Sequence, residues 1–269
     1  MSKKVVLVTG GSSGIGRSIG NFLKDKGFTV YGTTRNLQKN QDFTDFELLE
    51  LDVRKTETIH TALQMLLKKE GKLDILINNA GIGITGPIEE TPNEAIQNAF
   101  ETNFIGPLNM MKATLPIMRS QQQGRIINIT SIAGKMGLPY RGIYSASKGA
   151  LDLATEAIRL ETKKFGIHIS TLAPGDFATN IAAGRFHAPV VKESPYKEPY
   201  EQTLQMINDD VDKAGDPVEV AKKVYRILQS GAPKVHYKVG SFMQKFSIVL
   251  KKILPGKVYE NLLRNHYKL

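Results

Sequence analysis

Short apolar runs rich in β-branched residues occupy positions 5–8, 28–33, 46–52, 73–78, 125–130 and 167–173, and each is followed by a stretch long enough for a helix. The runs predict strands, and the helical crossovers between them predict parallel pairing in a sheet covered on both faces. The fold expected is therefore α/β: one Rossmann-type, doubly wound domain. Helix starts are marked too. Thr91-Pro92-Asn93-Glu94 precedes Ile96, Phe100, Phe104 and Leu108, so Thr91 is read as the cap, Pro92 as a first-turn residue and Glu94 as a capping-box acid. Asp216-Pro217-Val218-Glu219 opens another helix, with acids in its first turn. Between Asn180 and Gly215 the pattern lapses around Pro189, Pro195 and Pro199, which predicts a long functional connection.

No internal repeat or low-complexity tract divides the chain, so residues 1–269 are read as a single domain. Within it, 1–180 form the core, 180–215 a substrate loop and 241–269 a basic C-terminal extension. The breaks after strands, at Gly10-Gly11, 81–86, 134–139 and Pro174-Gly175, fall where an open parallel sheet places its ligand crevice.

At 41% apolar and 23% charged, the composition excludes a disordered or collagen-like chain. The absence of cysteine removes disulfides, thiolate zinc sites, iron–sulfur clusters and cysteine nucleophiles. No apolar run reaches the ~18 residues of a membrane span, and the run at 5–8 stops at Thr9-Gly10 instead of extending as a secretion signal. The expectation is a cytoplasmic protein, with at most peripheral membrane contact. The net charge of +10 is concentrated: residues 234–269 carry eight Lys or Arg against one acid. Without a zinc-finger or RNP-like pattern, that segment does not predict nucleic-acid binding.

The first strand leads into Thr9-Gly10-Gly11-Ser12-Ser13-Gly14-Ile15-Gly16 and then a helix through Ile19, Phe22 and Leu23. A strand, glycine turn and helix start make an anion cradle, because glycine lets a pyrophosphate approach backbone N–H groups at the positive end of the helix dipole. The alternative is a turn that serves only the fold. The second strand ends Thr33-Thr34-Arg35 with no carboxylate for a ribose hydroxyl, and an arginine there suits a 2′-phosphate, which favours NADP(H) over NAD(H). Arg17 could assist or be a solvated helix residue.

The spacing Thr-Gly-x3-Gly-x-Gly resembles the glycine signature of the short-chain dehydrogenase/reductase family. Asp52-Val53 and Asn78-Asn79-Ala80-Gly81 match family segments that contact adenine and support the sheet. Tyr144 and Lys148 lie four apart, on one face of a helix expected to begin near Gly142. A nearby ammonium lowers a tyrosine pKa, which suits proton transfer near neutral pH. Such a pair also occurs by chance on exposed helices. With Ser131 and Asn103 the set reproduces the family's catalytic tetrad in order and approximate spacing.

The resemblance implies that Tyr144 donates the proton in reduction and Ser131 polarises the carbonyl. It also implies that Lys148 lowers the tyrosine pKa and holds the ribose, while Asn103 supports a water relay. Pro174, Gly175, Phe177 and Thr179 match the segment along the nicotinamide. The cofactor residues so implied are Gly10, Ser12, Ser13, Gly14, Ile15, Gly16, Arg35, Asp52, Val53, Asn79, Tyr144, Lys148 and that segment. The one Gly-x-Ser-x-Gly string, at 10–14, is part of the glycine turn itself, and no histidine is spaced to partner a nucleophile or a metal, so neither a hydrolase nor a metal site is expected. His187, in the substrate loop, is held in reserve.

The 180–215 loop offers Ile181, Phe186, Val190, Val191, Tyr196, Tyr200 and Met206, which could close over a hydrophobic substrate or pack against the body. Farther on, Phe242, Met243, Phe246, Val249, Leu250, Ile253 and Leu254 fall in one arc at about 100° per residue, with Lys245, Lys251 and Lys252 outside it. Such a helix could lie on an anionic membrane or pack on the domain or a second subunit. The segment from Asp216 onward, with Pro233–Lys238 and Leu263–Tyr267, looks like the 17β-hydroxysteroid and retinol dehydrogenase branch. Another branch of the family reduces 3-ketosphinganine. The reading is an NADPH-dependent oxidoreductase for a hydrophobic, lipid-like carbonyl or alcohol, assembled as a homo-dimer or tetramer. Its rivals are a dinucleotide-sensing regulator and a membrane-surface protein acting through its C-terminal helix.

Overall fold

A computed structural model describes residues 3–177, 184–212 and 215–269, with backbone alone over 208–212. The strands of its main sheet are β1 (Val5–Val8), β2 (Thr29–Thr34), β3 (Glu47–Glu50), β4 (Ile75–Asn78), β6 (Gly124–Ile129), β7 (Ile167–Pro174) and β9 (His236–Val239). They pair in the order β3-β2-β1-β4-β6-β7-β9, every pair parallel. All six expected strands form, and β9 adds an edge strand whose residues are only part-buried. A separate two-stranded pair joins β5 (Ile84–Thr85) to β8 (Phe186–His187).

The helices are α1 (Gly14–Asp25), α2 (Thr56–Glu70), α3 (Asn93–Phe100), α4 (Gly106–Ser120), α5 (Gly142–Thr162), α6 (Lys197–Asp212), α7 (Val218–Gln229), α8 (Phe242–Ile253) and α9 (Gly256–Tyr267). Because side chains alternate across a strand, Val5 and Leu7 face one core with Ile59, Leu66, Met110 and Leu151 of α2, α4 and α5. Val6 and Val8 face the other, with Ile19 and Leu23 of α1 and Val220 and Val224 of α7. Each fully buried side chain of this kind contributes about 1.5–3 kcal/mol, so neither helical layer can be peeled away cheaply.

Three local expectations need correction. Thr91 does not cap α3: its hydroxyl donates to the Pro87 carbonyl at 2.6 Å, and the helix begins at Asn93 with Ala95 N–H bonded to the Pro92 carbonyl. The 180–215 stretch is not wholly irregular, since it contains α6, whose first turn accommodates Pro199. The apolar arc of α8 is also divided. Ile248 is buried, with Leu250 and Leu254 packed alongside it against Met136 and Tyr259, whereas Phe242, Met243, Phe246, Val249 and Ile253 are exposed.

The strand order reverses direction between β1 and β4, which opens a crevice at the carboxyl ends of the strands. A buried chain of amides fixes α5 over that edge. Asn78 Nδ2 donates to Asn128 Oδ1, and Asn128 Nδ2 to Thr155 Oγ1, both at 2.8 Å.

Candidate active site

The crevice begins as a cavity of about 620 Å³ lined by Gly10, Ser12, Ser13, Gly14, Ile15, Arg35, Asp52, Val53 and Asn79, among others. Gly10 at φ +63° turns the chain out of β1, a conformation that a side chain would disfavour. Gly16 has no such torsion, yet a Cβ on it would run into the Gly10 carbonyl and the Asn79 amide, so it serves the close packing of α1 on the turn. Asn79 Nδ2 in turn donates to the carbonyls of Thr9 (3.0 Å) and Gly10 (3.2 Å). Ser13 leaves the start of α1 without a side-chain cap and no acid occupies its first turn, so its N–H groups face the cavity for an anion.

Arg35 is exposed at the rim, with Lys39 and Arg54 on the same cavity. Arg54 pairs with Asp52 at 2.6 Å, and its hydrogen bonds hold the Asp52 carboxyl below the usual range. Of the two readings for Arg17, the structure gives the solvated helix residue: it pairs with Asp45 at 2.6 Å and does not line the cavity. These features fit a dinucleotide. The glycine turn and helix start would hold its pyrophosphate.

Next along the sheet edge, a pocket of about 80 Å³ is lined by Ser131, Tyr144, Lys148, Pro174, Gly175 and Phe177. Ser131 follows β6, where its Oγ accepts from Ala133 N–H at 3.1 Å. Ser131 and Tyr144 line this pocket together. The lowering expected from Lys148 is not what the structure gives: burial pushes the Tyr144 pKa up, and the groups that pull it back are Arg141, Ser131 and Arg185. Lys148 is 5% exposed and donates to the Ile129 carbonyl at 3.0 Å, and burial pushes its pKa down to about 8.

Asn103 lies in a π-helical turn, Glu101–Ile105, between α3 and α4. Such turns re-aim side chains at functional sites. Asn103 Oδ1 accepts from Ile82 N–H at 2.8 Å, while Nδ2 donates to the Ile82 carbonyl at 2.9 Å and to Ser147 Oγ at 3.1 Å. A Cβ on Gly81 would lie 3.0 Å from Asn103 Oδ1 and 3.1 Å from Lys148 Nζ, so glycine there lets the two approach one point. Ser131, Tyr144, Lys148 and Asn103 thus gather at one edge, while Thr179 lies outside the described residues.

Beyond Ser131 opens a larger cavity of about 970 Å³ that the sequence did not indicate. Its walls are α8, α9, the edge of α7 and the segment that follows Ser131, including Met136, Leu138, Leu250, Tyr259 and Leu263. The aromatic residues proposed for a lid are placed elsewhere. Tyr200 is 1% exposed and anchors its hydroxyl on the carbonyls of Thr85 and Ala188, and Tyr196 bonds Glu89. Phe186, Val190, Val191 and Met206 line none of these three cavities. Arg185 alone reaches the catalytic pocket from the described part of the loop, together with Arg141 and Asp176, and sequence reasoning missed all three. His187 instead bonds Thr85 Oγ1 at 2.9 Å through Nδ1. Among the described residues no cluster of His, Asp and Glu is arranged to hold a metal ion.

A tyrosine and a lysine thus stand beside a glycine-turn cavity, and comparison with known proteins gives the class. A family profile described as short chain dehydrogenase matches residues 4–189, and the chain belongs to that family of oxidoreductases. It is 34% identical to a 3-ketodihydrosphingosine reductase of Bacteroides thetaiotaomicron over the full length of both chains. It is 30% identical to mouse 17-beta-hydroxysteroid dehydrogenase type 1, covering 88% of this chain and 74% of that one. Human retinol dehydrogenase 8 is also 30% identical, with 86% and 79% covered. A short-chain dehydrogenase from Streptomyces avermitilis superposes with TM-score 0.83 at 30% identity over 98% of each chain. The NADP-bound structure of ElxO gives 0.73 at 27% identity, covering 88% of this chain and 97% of that one.

Proposed function

We propose that this protein is an NADPH-dependent reductase of a carbonyl group on a hydrophobic, lipid-like molecule, the alcohol being oxidised in reverse. The observation that carries the reading is that Ser131 lines both the small pocket holding Tyr144 and Lys148 and the large, partly apolar cavity beyond it. A carbonyl at Ser131 would therefore meet a proton donor on one side while its chain extends into that cavity. NADPH supplies the hydride when bound in the glycine-turn cavity. The residues of this chain do the rest. Ser131 donates to the carbonyl oxygen, Tyr144 transfers its phenolic proton to the developing alkoxide, and Lys148, when charged, stabilises the tyrosinate left behind. Asn103, whose side chain is committed to Ile82 and Ser147, acts by holding α5 and the Gly81 loop in register.

The preference for NADPH rests on Arg35 at the rim, with no carboxylate at the end of β2. The lipid-like substrate rests on the cavity walled by α8 and α9 and agrees with the names of the relatives. Oxidation of NADPH and NADH by the purified protein, followed at the nicotinamide absorbance against long-chain, steroid, retinoid and short-chain carbonyls, tests all three parts. Turnover of short polar ketones alone would overturn the substrate class.

The exposed half of α8 extends this reading to peripheral contact with an anionic bilayer. Phe242, Met243 and Ile253 are about two-thirds or more exposed, and Lys245, Lys251 and Lys252 flank them within the most basic part of the chain. Apolar side chains with a cationic border complement an anionic lipid surface.

A further inference from the structure

Two guanidinium groups stand beside the proposed proton donor, and the reduction just described uses neither. Arg141 lies across the Tyr144 ring, 5.7 Å from its centroid, and lines both the small pocket and the large cavity. Arg185 enters the same pocket over Gly83, and its Nη1 is buried without a hydrogen-bond partner among the described residues. A buried guanidinium N–H left unpaired costs free energy that an anion would recover. The one acid in the cluster is already engaged. Asp176 Oδ2 accepts from Gln244 Nε2 at 2.8 Å, and its Oδ1 lies 4.0 Å from Arg141. Burial and the neighbouring Arg141 oppose the charge on Arg185, more than Tyr144 and Asp176 support it.

The surroundings point the same way. The large cavity has an apolar inner wall, but Lys222, Lys223, Arg226, Lys238 and Lys245 line it against Glu219 and Asp176. Glu219 is itself paired with Lys222 at 2.7 Å. A cavity with an excess of one sign concentrates ligands of the other.

We propose that the substrate is an anionic amphiphile: a single-chain ketone with a carboxylate or phosphate a few bonds from the reacting carbonyl, held by Arg185 and Arg141, its chain lying along Met136, Leu138 and Leu250. This rests on the carbonyl-reductase reading and adds the charge of the headgroup. A neutral or cationic lipid ketone would leave Arg185 Nη1 unpaired, which lowers kcat/KM without preventing the chemistry.

The test compares NADPH-linked kcat/KM for the β-keto acid of a dodecyl chain, its methyl ester and a long-chain β-keto amine. The inhibitors are dodecyl phosphate, dodecanol and inorganic phosphate. The acid is expected to exceed the ester by about 10- to 100-fold, the range of one or two charge-assisted hydrogen bonds. Arg185→Gln should collapse that ratio and Arg185→Lys should recover part of it, with NADPH binding by nicotinamide fluorescence verifying that both variants fold. Dodecyl phosphate should compete with the ketone, far more strongly than dodecanol or inorganic phosphate. Equal rates on acid and ester, or preference for the amine, would overturn the inference while leaving the reductase reading intact. So would competition of dodecyl phosphate with NADPH, or an Arg185→Gln defect confined to NADPH affinity, because either would assign the guanidinium to the cofactor. Failure on all three ketones, with turnover of a steroid or retinoid carbonyl, would overturn the inference alone, whereas failure on every carbonyl offered would remove the reductase reading and the inference with it.

Discussion

Gln244, in the first turn of α8, donates from Nε2 to Asp176 Oδ2 at 2.8 Å, joining residues 68 apart in the chain. Its Oε1 accepts from the Ser241 N–H at 3.1 Å, completing a capping box at the start of the helix. A Cβ on Gly175 would run into this amide, so Gln244 also wedges against the loop that follows β7. The C-terminal helices are thus fastened to the loop that forms one side of the catalytic pocket.

Gln244→Ala should cost about 1–2 kcal/mol of stability, by leaving Asp176 without its donor and α8 without half its cap. It should raise KM for a long-chain ketone more than KM for NADPH. Thermal unfolding and steady-state kinetics check the two parts.

Arg35→Asp should weaken NADPH binding by about 100-fold or more and alter NADH binding far less, because it replaces a phosphate donor with a repelling charge. Titration of nicotinamide fluorescence measures both constants. An unchanged ratio would remove the 2′-phosphate assignment.

Lys148 carries a stability penalty. Its pKa is about 8 in the folded protein against an ordinary value of 10.5, so below pH 8 the fold holds a buried charge that it disfavours. As pH rises from about 8 to 10.5 the unfolded chain binds more protons than the folded one, and this penalty fades. Lys148→Met should therefore stabilise the protein at pH 7 by about 1–2 kcal/mol, after loss of the bond to Ile129, while abolishing turnover. Thermal melts at pH 7 and near pH 10 check it, since the gain must shrink at the higher pH.

Phe242→Glu combined with Ile253→Glu should abolish sedimentation with vesicles rich in phosphatidylglycerol and leave reduction of a soluble ketone unchanged. Equal sedimentation of the variant and wild type would remove the bilayer contact.

What the sequence made legible was local in the chain. The glycine turn, the Tyr144–Lys148 spacing and the run ending at Ser131 each act within a few residues, so their geometry follows from strand, turn and helix alone. The doubly wound sheet was equally readable, because its strands are buried on both faces and so run apolar without interruption. What remained hidden depends on distant pairing. Asp45 as the partner of Arg17 lies 28 residues away, α6 was obscured by Pro199 and the prolines before it, and Thr91 turned back to Pro87. The wall of the large cavity arises only when α8 and α9 fold back beside Ser131. Arg141, Asp176 and Arg185 carry no motif, and only their convergence on Tyr144 marks them.

The most direct test of the central claim is single-turnover oxidation of NADPH by wild type and Tyr144→Phe with a long-chain ketone. Removing the phenolic hydroxyl should lower the rate by about 10²- to 10⁴-fold, the usual worth of a positioned general acid. NADPH affinity should stay within about threefold, since the pyrophosphate and 2′-phosphate sites lie on other residues. Wild-type rates in the variant, or absence of NADPH oxidation by the wild type with every hydrophobic carbonyl offered, would contradict the account.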